Sequence, residues 1–488
     1  MPKSLNRKHT KIVATIGPAS EDPEVIRAMI RSGMNVARIN FSHGDHETHG
    51  KRIETIRRLA KEENEVVAIL ADIQGPKIRI GAVANEPRIL KVDDIVTLTL
   101  DKVAGEGYTF SLPHPEFMKD IAKGTGLLLD DGNIQFEVVD VTPRTLVCRV
   151  VIPGELKSRK GVSAPNATLT LDAITEKDRA DIEFAVKQDA DFIAMSFVRS
   201  PEDIRQMRWM INFYGGRSAI IAKIEQREAL ERIEEIIAVT DGIMVARGDL
   251  GVETPAERVP YEQKRIIRLC NETGKPVITA TQMLESMKTN PRPTRAEASD
   301  VYNAILDGTD AVMLSAESAS GDFPVQSVQT MTQIALAAEE YIFNTRNRGF
   351  DSTFARNQYD AGEAISNAIG AATVAISEAL KPTAIVTTTI SGYTTQRVAK
   401  ERPRTPIICA TPTETTYRRM ALVSGVVPMF VREYSSIDEM ISIIVRAAHE
   451  EGLVSRGDTL IVIAGVPFGV RGQTNLLKVH RVGESSEI

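Results

Sequence analysis

The sequence predicts an α/β protein organised around a (β/α)8 (TIM) barrel. An all-β domain is inserted after the third strand, and a separate C-terminal α/β domain with a mostly parallel sheet follows. Three observations carry this prediction. Eight β-like runs between Thr10 and Glu317 each lead into a helical pattern, except where the third meets the insertion. Polar residues sit at the ends of six of them: Asn40 and Ser42, Asp72, Glu225, Asp249, Thr281, and Ser315 with Glu317. A closed barrel gathers such ends on one face, whereas an open doubly wound sheet, the alternative, spreads them along an edge. From Gln74 to about Asn166 helical period disappears into short β-branched runs punctuated by Gly, Asp and Pro.

In order, Thr10–Gly17 is a strand and Pro23–Gly33 a helix closed by glycine. Asn35–Ser42 (NVARINFS) is a strand, His46–Lys61 an amphipathic helix, and Val66–Ile73 the third strand. Helices resume at Thr175, an N-cap candidate. Strands Asp191–Val198, Ser218–Glu225, Asp241–Val245, Pro276–Gln282 and Asp310–Glu317 alternate with helices, among them one continuous helix over Gln226–Val239. After a polar link near Phe350, a second α/β series runs to about Val482. The expected domains are residues 1–75 with 167–345 (barrel), 76–166 (lid) and 350–488 (C-terminal, regulatory).

At 488 residues the chain is long enough for two or three cores. With 42% hydrophobic and 25% charged residues, its composition is that of a globular protein rather than a disordered one. A net charge of −6 gives no reason to expect a nucleic acid or an anionic membrane as partner. Three distant cysteines without a CxxC fit inert thiols in a reducing compartment, and no run is long enough to span a bilayer. The expected location is cytoplasmic.

The densest chemistry lies at Asp241–Gly251 (DGIMVARGDLG), a strand running into an Arg-Gly-Asp-Leu-Gly turn. Upstream, Lys223 and Glu225 share one side of their strand. If the two strands are neighbours, Glu225 and Asp249 share a cation, and two carboxylates suit Mg2+, which completes its shell with water and substrate oxygens. Gly248 and Gly251 leave the backbone bare for an anion. The competing reading is a salt-bridge network at the barrel mouth. Arg38, Asn40 and Ser42 alternate onto one face, where an inward Arg needs an anion such as phosphate. Thr281 reads as a site hydroxyl or a helix cap, and Ser315 with Glu317 as a proton relay or a barrel closure. His43, His46 and His49 read as solvated residues at a helix start rather than metal ligands. Thr387, Thr388, Thr389, Ser391, Gly392 and Thr394 form a hydroxyl-rich strand-to-helix turn that binds phosphate or simply caps.

The runs TKIVATIGPAS, NVARINFSHG, DIQGPKIR, KIE, DGIMVARGDLG, GKPVITATQMLESM, PRPTRAEASDVYNAILDGTDAVMLSAESA and PIICATP resemble pyruvate kinases, in the family's order, over roughly residues 10 to 480. The resemblance implies a phosphoryl transfer from phosphoenolpyruvate to ADP, giving pyruvate and ATP. It implies Mg2+, with Mn2+ as a substitute, on Glu225 and Asp249, and a second ion with the nucleotide. Substrate phosphate falls to Arg38 and Lys223, with Gly248, Asp249 and Thr281 also at the substrate. Enolate protonation falls to Thr281 through water, with Ser315 and Glu317 along a relay. The nucleotide falls to His43, Arg79 and Lys160. A homotetramer is implied as well.

Potassium-dependent members carry Thr and Glu where this chain has Ile73 and Lys77, and Thr where Ile80 stands. Gln74-Gly75-Pro76-Lys77 resembles the potassium-independent branch, so the Lys77 ammonium is expected to replace K+. The resemblance also makes the 387–394 turn, with Arg471 opposite, a candidate site for a sugar-phosphate or nucleotide effector. Two other functions compete: a Mg2+-dependent lyase or aldolase acting on enolates, and a non-enzymatic sugar-phosphate sensor.

Overall fold

The computed structural model describes residues 5, 8–165, 167, 169–345, 361–468 and 473–483. Eight parallel strands close a barrel: β1 (Lys11–Thr15), β2 (Val36–Asn40), β3 (Ala68–Asp72), β12 (Phe192–Met195), β13 (Ala219–Ile224), β14 (Gly242–Ala246), β15 (Val277–Ala280) and β16 (Ala311–Leu314). They are short and almost wholly buried, because a parallel barrel covers both faces of every strand. Strand β13 lies beside β14, with Lys223 opposite Met244, so the two charged strand ends are neighbours.

Between β3 and β12 the chain forms β4 (Arg88–Leu90), β5 (Ile95–Thr99), β6 (Thr109–Ser111), β7 (Gly126–Leu129), β8 (Ile134–Val141), β9 (Thr145–Ile152), β10 (Gly154–Leu156) and β11 (Val162–Ser163). Six of these make one sheet in the order β11-β7-β8-β9-β5-β6, and β10 pairs with β4. Their alternating inward residues, among them Leu98, Phe110, Phe136 and Val150, form a core distinct from that of the barrel. One helix, Pro115–Asp120, interrupts the β pattern.

The C-terminal sheet runs β19 (Val426–Phe430), β18 (Ile407–Thr411), β17 (Ala384–Thr388), β20 (Thr459–Ala464) and β21 (Leu476–Arg481). It is parallel except for β21. A single turn of tight helix, Met420–Leu422, leaves this layer, and its Ala421 and Leu422 pack among Val13, Val36, Leu70 and Met244 inside the barrel. Charged contacts surround that plug. Arg418 Nε donates to the buried Asp191 at 2.6 Å, and Arg402 pairs with Asp310 at 3.1 Å. Lys11 Nζ donates to the Val426 carbonyl at 2.7 Å.

Three local expectations are corrected. Gln226–Val239 is two helices, Arg227–Glu231 and Ile233–Val239, broken at Arg232, whose φ of −112° and ψ of 20° leave the helical basin. The Arg-Gly-Asp-Leu-Gly stretch is the start of a helix, Arg247–Glu253, rather than a turn. His49 is not solvated: it is buried against Phe41, with ring centroids 4.6 Å apart.

Candidate active site

Strand ends at one barrel face carry the charged residues. Lys223, near the end of β13, is the hub. Its Nζ lies 2.9 Å from Glu225, 3.2 Å from Asp72 and donates to Ser196 Oγ at 2.6 Å. Arg38 on β2 donates to the other oxygen of Asp72 at 2.6 Å and to Thr15 Oγ1 at 2.9 Å. Glu225 also accepts the Phe197 N–H at 2.8 Å. Lys77, at the base of the inserted domain, reaches Asp249 at 3.4 Å.

Electrostatics follow from one lysine serving two acids. Burial alone would raise the Asp72 carboxyl, but the Lys223 and Arg38 charges outweigh it and hold Asp72 below the ordinary range. Burial would lower the Lys223 ammonium, yet Asp72 and Glu225 raise it, so it stays charged. Glu225 moves the other way. Burial raises it, Lys223 only partly opposes this, and the nearby Asp249 charge pushes further up. Glu225 and Asp249 thus bring two acids close together, Glu225 beside Lys223 and Asp249 beside Lys77, a carboxylate pair of the kind that can hold a cation. Among the described residues no cluster of three His, Cys, Asp or Glu side chains could hold a metal by itself, so a bound ion needs oxygens from water or substrate.

Thr281 lies just past β15 with φ of +68°, a conformation that β-branched residues rarely adopt. Its hydroxyl accepts the Gly248 N–H at 2.8 Å and donates to the Ala280 carbonyl at 2.7 Å. Arg247 braces the same turn through the Thr281 carbonyl at 2.7 Å and Asp300 at 2.7 Å. The expected shared strand face of Ser315 and Glu317 is corrected, because β16 ends at Leu314 and Glu317 lies in the next helix, although the two remain hydrogen-bonded. The buried Glu317 carboxylate accepts the N–H groups of Ser315 at 2.7 Å and Leu284 at 3.1 Å, so it braces two loops.

The structure brings Arg38, Lys223, Glu225 and Asp72 together, with Asp249 and Lys77 beside them. His43 is exposed on the loop after β2. Arg79 and Lys160 are neighbours on the inserted domain, whose Ile80 N–H donates to the Lys160 carbonyl at 3.0 Å. Their side chains contact that domain itself: Arg79 donates to the Arg159 carbonyl and Lys160 pairs with Asp130. A narrow cleft opens between this domain and the barrel, lined by Lys77, Leu128, Asp131, Phe197, Asp249 and Glu253.

In the C-terminal layer the turn's threonines are turned inward. Thr387 bonds Thr395, Thr389 accepts the Gly392 N–H, Thr394 bonds Thr474, and Thr388 is buried; Ser391 is exposed. Arg471 lies outside the described residues. Sequence reasoning missed Thr15 and Ser196, although both obey the same signal, a polar residue at a strand's end. It also missed Phe197, whose φ of +54° no sequence pattern announces.

Fold and site together define a (β/α)8-barrel enzyme with an inserted β-domain beside a mouth of alternating charge. The family models "Pyruvate kinase, barrel domain" and "Pyruvate kinase, alpha/beta domain" match residues 7–328 and 367–480. The chain belongs to the pyruvate kinase family, and it transfers a phosphoryl group from phosphoenolpyruvate to ADP, giving pyruvate and ATP. It is 47% identical over 481 residues to a pyruvate kinase of Geobacillus stearothermophilus, covering 98% of this chain and 81% of that one. The corresponding protein of Sporosarcina psychrophila is 46% identical over 480 residues, and that of Staphylococcus aureus (strain MRSA252) 45% over 484, with the same two coverages. Membership implies a divalent metal, with phosphoenolpyruvate, ADP or ATP and pyruvate as ligands. No described helix is long and apolar enough to cross a membrane.

Proposed function

We propose that Lys223 is the centre of the transfer, with Arg38 beside it on the substrate phosphate. The observation that supports this is a charged ammonium held at one point by Asp72, Glu225 and Ser196. A terminal oxygen of ADP attacks phosphorus, the bond from phosphorus to the enol oxygen breaks, and its electron pair stays on that oxygen. Lys223 neutralises charge on the transferring group and on the enolate without reorganising, because its own position is already fixed. Mg2+, with Mn2+ as a substitute, fits Glu225 and Asp249 and supplies charge neutralisation when bound. The enolate then takes a proton on carbon. The Thr281 hydroxyl is committed to backbone groups, so it orients a water rather than donating directly, and Gly248 N–H is held beside it.

In this reading the lid, residues 76–166, brings Arg79 and Lys160 toward nucleotide phosphates near His43 and excludes water. Lys77 takes the place of a monovalent cation beside Asp249, so K+ is not required. The C-terminal region, residues 350–488, takes a sugar-phosphate or nucleotide effector at the 387–394 turn. The enzyme is a cytoplasmic homotetramer, which light scattering on the purified protein checks. Arg471→Ala that leaves the response to sugar phosphates and AMP unchanged removes the effector assignment.

The deciding experiment is a coupled assay of pyruvate formed from phosphoenolpyruvate, ADP and Mg2+. Lys223→Met is expected to lower kcat by at least about a thousandfold, the scale of losing a preorganised electrostatic donor. A variant retaining more than a tenth of the activity contradicts the role.

A further inference from the structure

We propose that Lys177 and Asp178, neighbours in the first turn of the helix Glu176–Lys187, form one positioning element that fixes the loop after β2 against both ends of the lid.

Asp178 is fully buried and divides its carboxylate between the chain leaving the barrel and the chain returning to it. One oxygen accepts the Gly75 N–H at 3.0 Å, where the chain departs. The other accepts the Thr175 N–H at 2.9 Å and its hydroxyl at 2.6 Å, where the chain comes back. An ordinary capping box needs only the Thr175 half of this set. The bond to Gly75, a hundred residues away in sequence, is additional. Gly75 itself has φ of +69°, and a Cβ there would come within 2.8 Å of the Phe197 ring and 3.1 Å of Ser196 Cβ. Gly75 is therefore seated on the two residues that contact Glu225 and Lys223.

Lys177 faces the other way. Its ammonium donates to the Phe41 carbonyl at 2.7 Å and to Asp181 at 2.6 Å. The buried Asp181 is shared with His46 Nε2 at 2.8 Å, and His46 stacks on Phe184 with centroids 4.4 Å apart. Phe41 directly precedes Ser42 and His43. A shift of the helix thus moves the lid ends and the His43 loop together, so the nucleotide meets a loop already in register with the closing lid. Charge-assisted bonds of this kind hold geometry more firmly than neutral ones.

The inference rests on the proposed nucleotide role of the His43 loop, and the test separates the two. Lys177→Met keeps the aliphatic stem and removes the donor. It is expected to raise KM for ADP about tenfold, the scale of one charge-assisted bond, with kcat and KM for phosphoenolpyruvate within about twofold. Lys177→Arg is expected to restore KM. Asp178→Asn is expected to speed amide exchange at Gly75 and Thr175, and unchanged exchange at both overturns its share of the element. His43→Ala, measured alongside, raises KM for ADP if the loop serves the nucleotide. Lys177→Met without effect where His43→Ala has one overturns the positioning role. Parallel loss in kcat and both KM values, tracking a lowered Tm, overturns it too. Neither substitution having an effect overturns the loop's nucleotide role and this inference with it.

Discussion

Asp249 meets a lysine, Lys77, at the base of the inserted domain. Lys77 lies 3.4 Å from it and is partly exposed, and the proposed replacement of a monovalent ion by its ammonium is open to a direct test. Activity with Mg2+ in buffer free of K+ and NH4+ is expected to be near maximal, and a large stimulation by KCl at constant ionic strength would sink this reading. Lys77→Glu should create a K+ requirement, visible as activity that returns on titrating KCl. Glu253, across the same cleft, offers a separate handle. Burial, reinforced by the Glu228 charge, pushes its carboxyl up to about 7, against a hydrogen bond from Ser163. An acid with a raised folded pKa is protonated in the fold while the unfolded chain has already ionised. Stability therefore falls from about pH 4.5 to about pH 7 and levels off above, by up to about 3 kcal/mol. Glu253→Gln should flatten that part of the Tm profile; an unchanged profile means another group carries it.

At the scale of elements, the strand ends were legible because they break a rule: an apolar run has no local reason to finish in Asp, Lys or Thr. That signal found Asp72, Glu225 and Thr281, alternation along the strand added Arg38 and Lys223, and applied evenly the first signal reaches Thr15 and Ser196. What it could not supply was backbone conformation. Nothing in VITATQ foretells a left-handed Thr281, because a β-branched residue opposes it, and only the surrounding contacts of Gly248 and Arg247 make it tolerable. The break at Arg232 was equally silent, with neither Gly nor Pro to mark it. Thr281→Ser should keep most activity because it preserves both hydroxyl bonds. Thr281→Val should slow solvent-deuterium incorporation into the pyruvate methyl group more than it slows phosphoryl transfer. Equal slowing of both would place Thr281 in the transfer rather than in protonation.

Across the whole molecule, the joint between barrel and C-terminal layer is made of buried charge. Asp191 is buried, and burial raises its carboxyl even with Arg418 beside it. Replacing Arg418 by Met leaves that acid without its guanidinium, and the expected cost is about 3–5 kcal/mol, measured by urea unfolding at neutral pH. A loss under 1 kcal/mol would show that water reaches Asp191. At low pH, where Asp191 is protonated, the same substitution should cost less.

Leu422 belongs by sequence to the C-terminal α/β domain and by packing to the barrel. A barrel expressed alone would end with an open apolar floor of Val13, Leu70 and Met244 facing water. Barrel and C-terminal domain are therefore not interchangeable parts. A chimera that borrows its C-terminal region from a relative must bring a matching stopper, or it inherits a leak at the bottom of the barrel before any question of effector response arises.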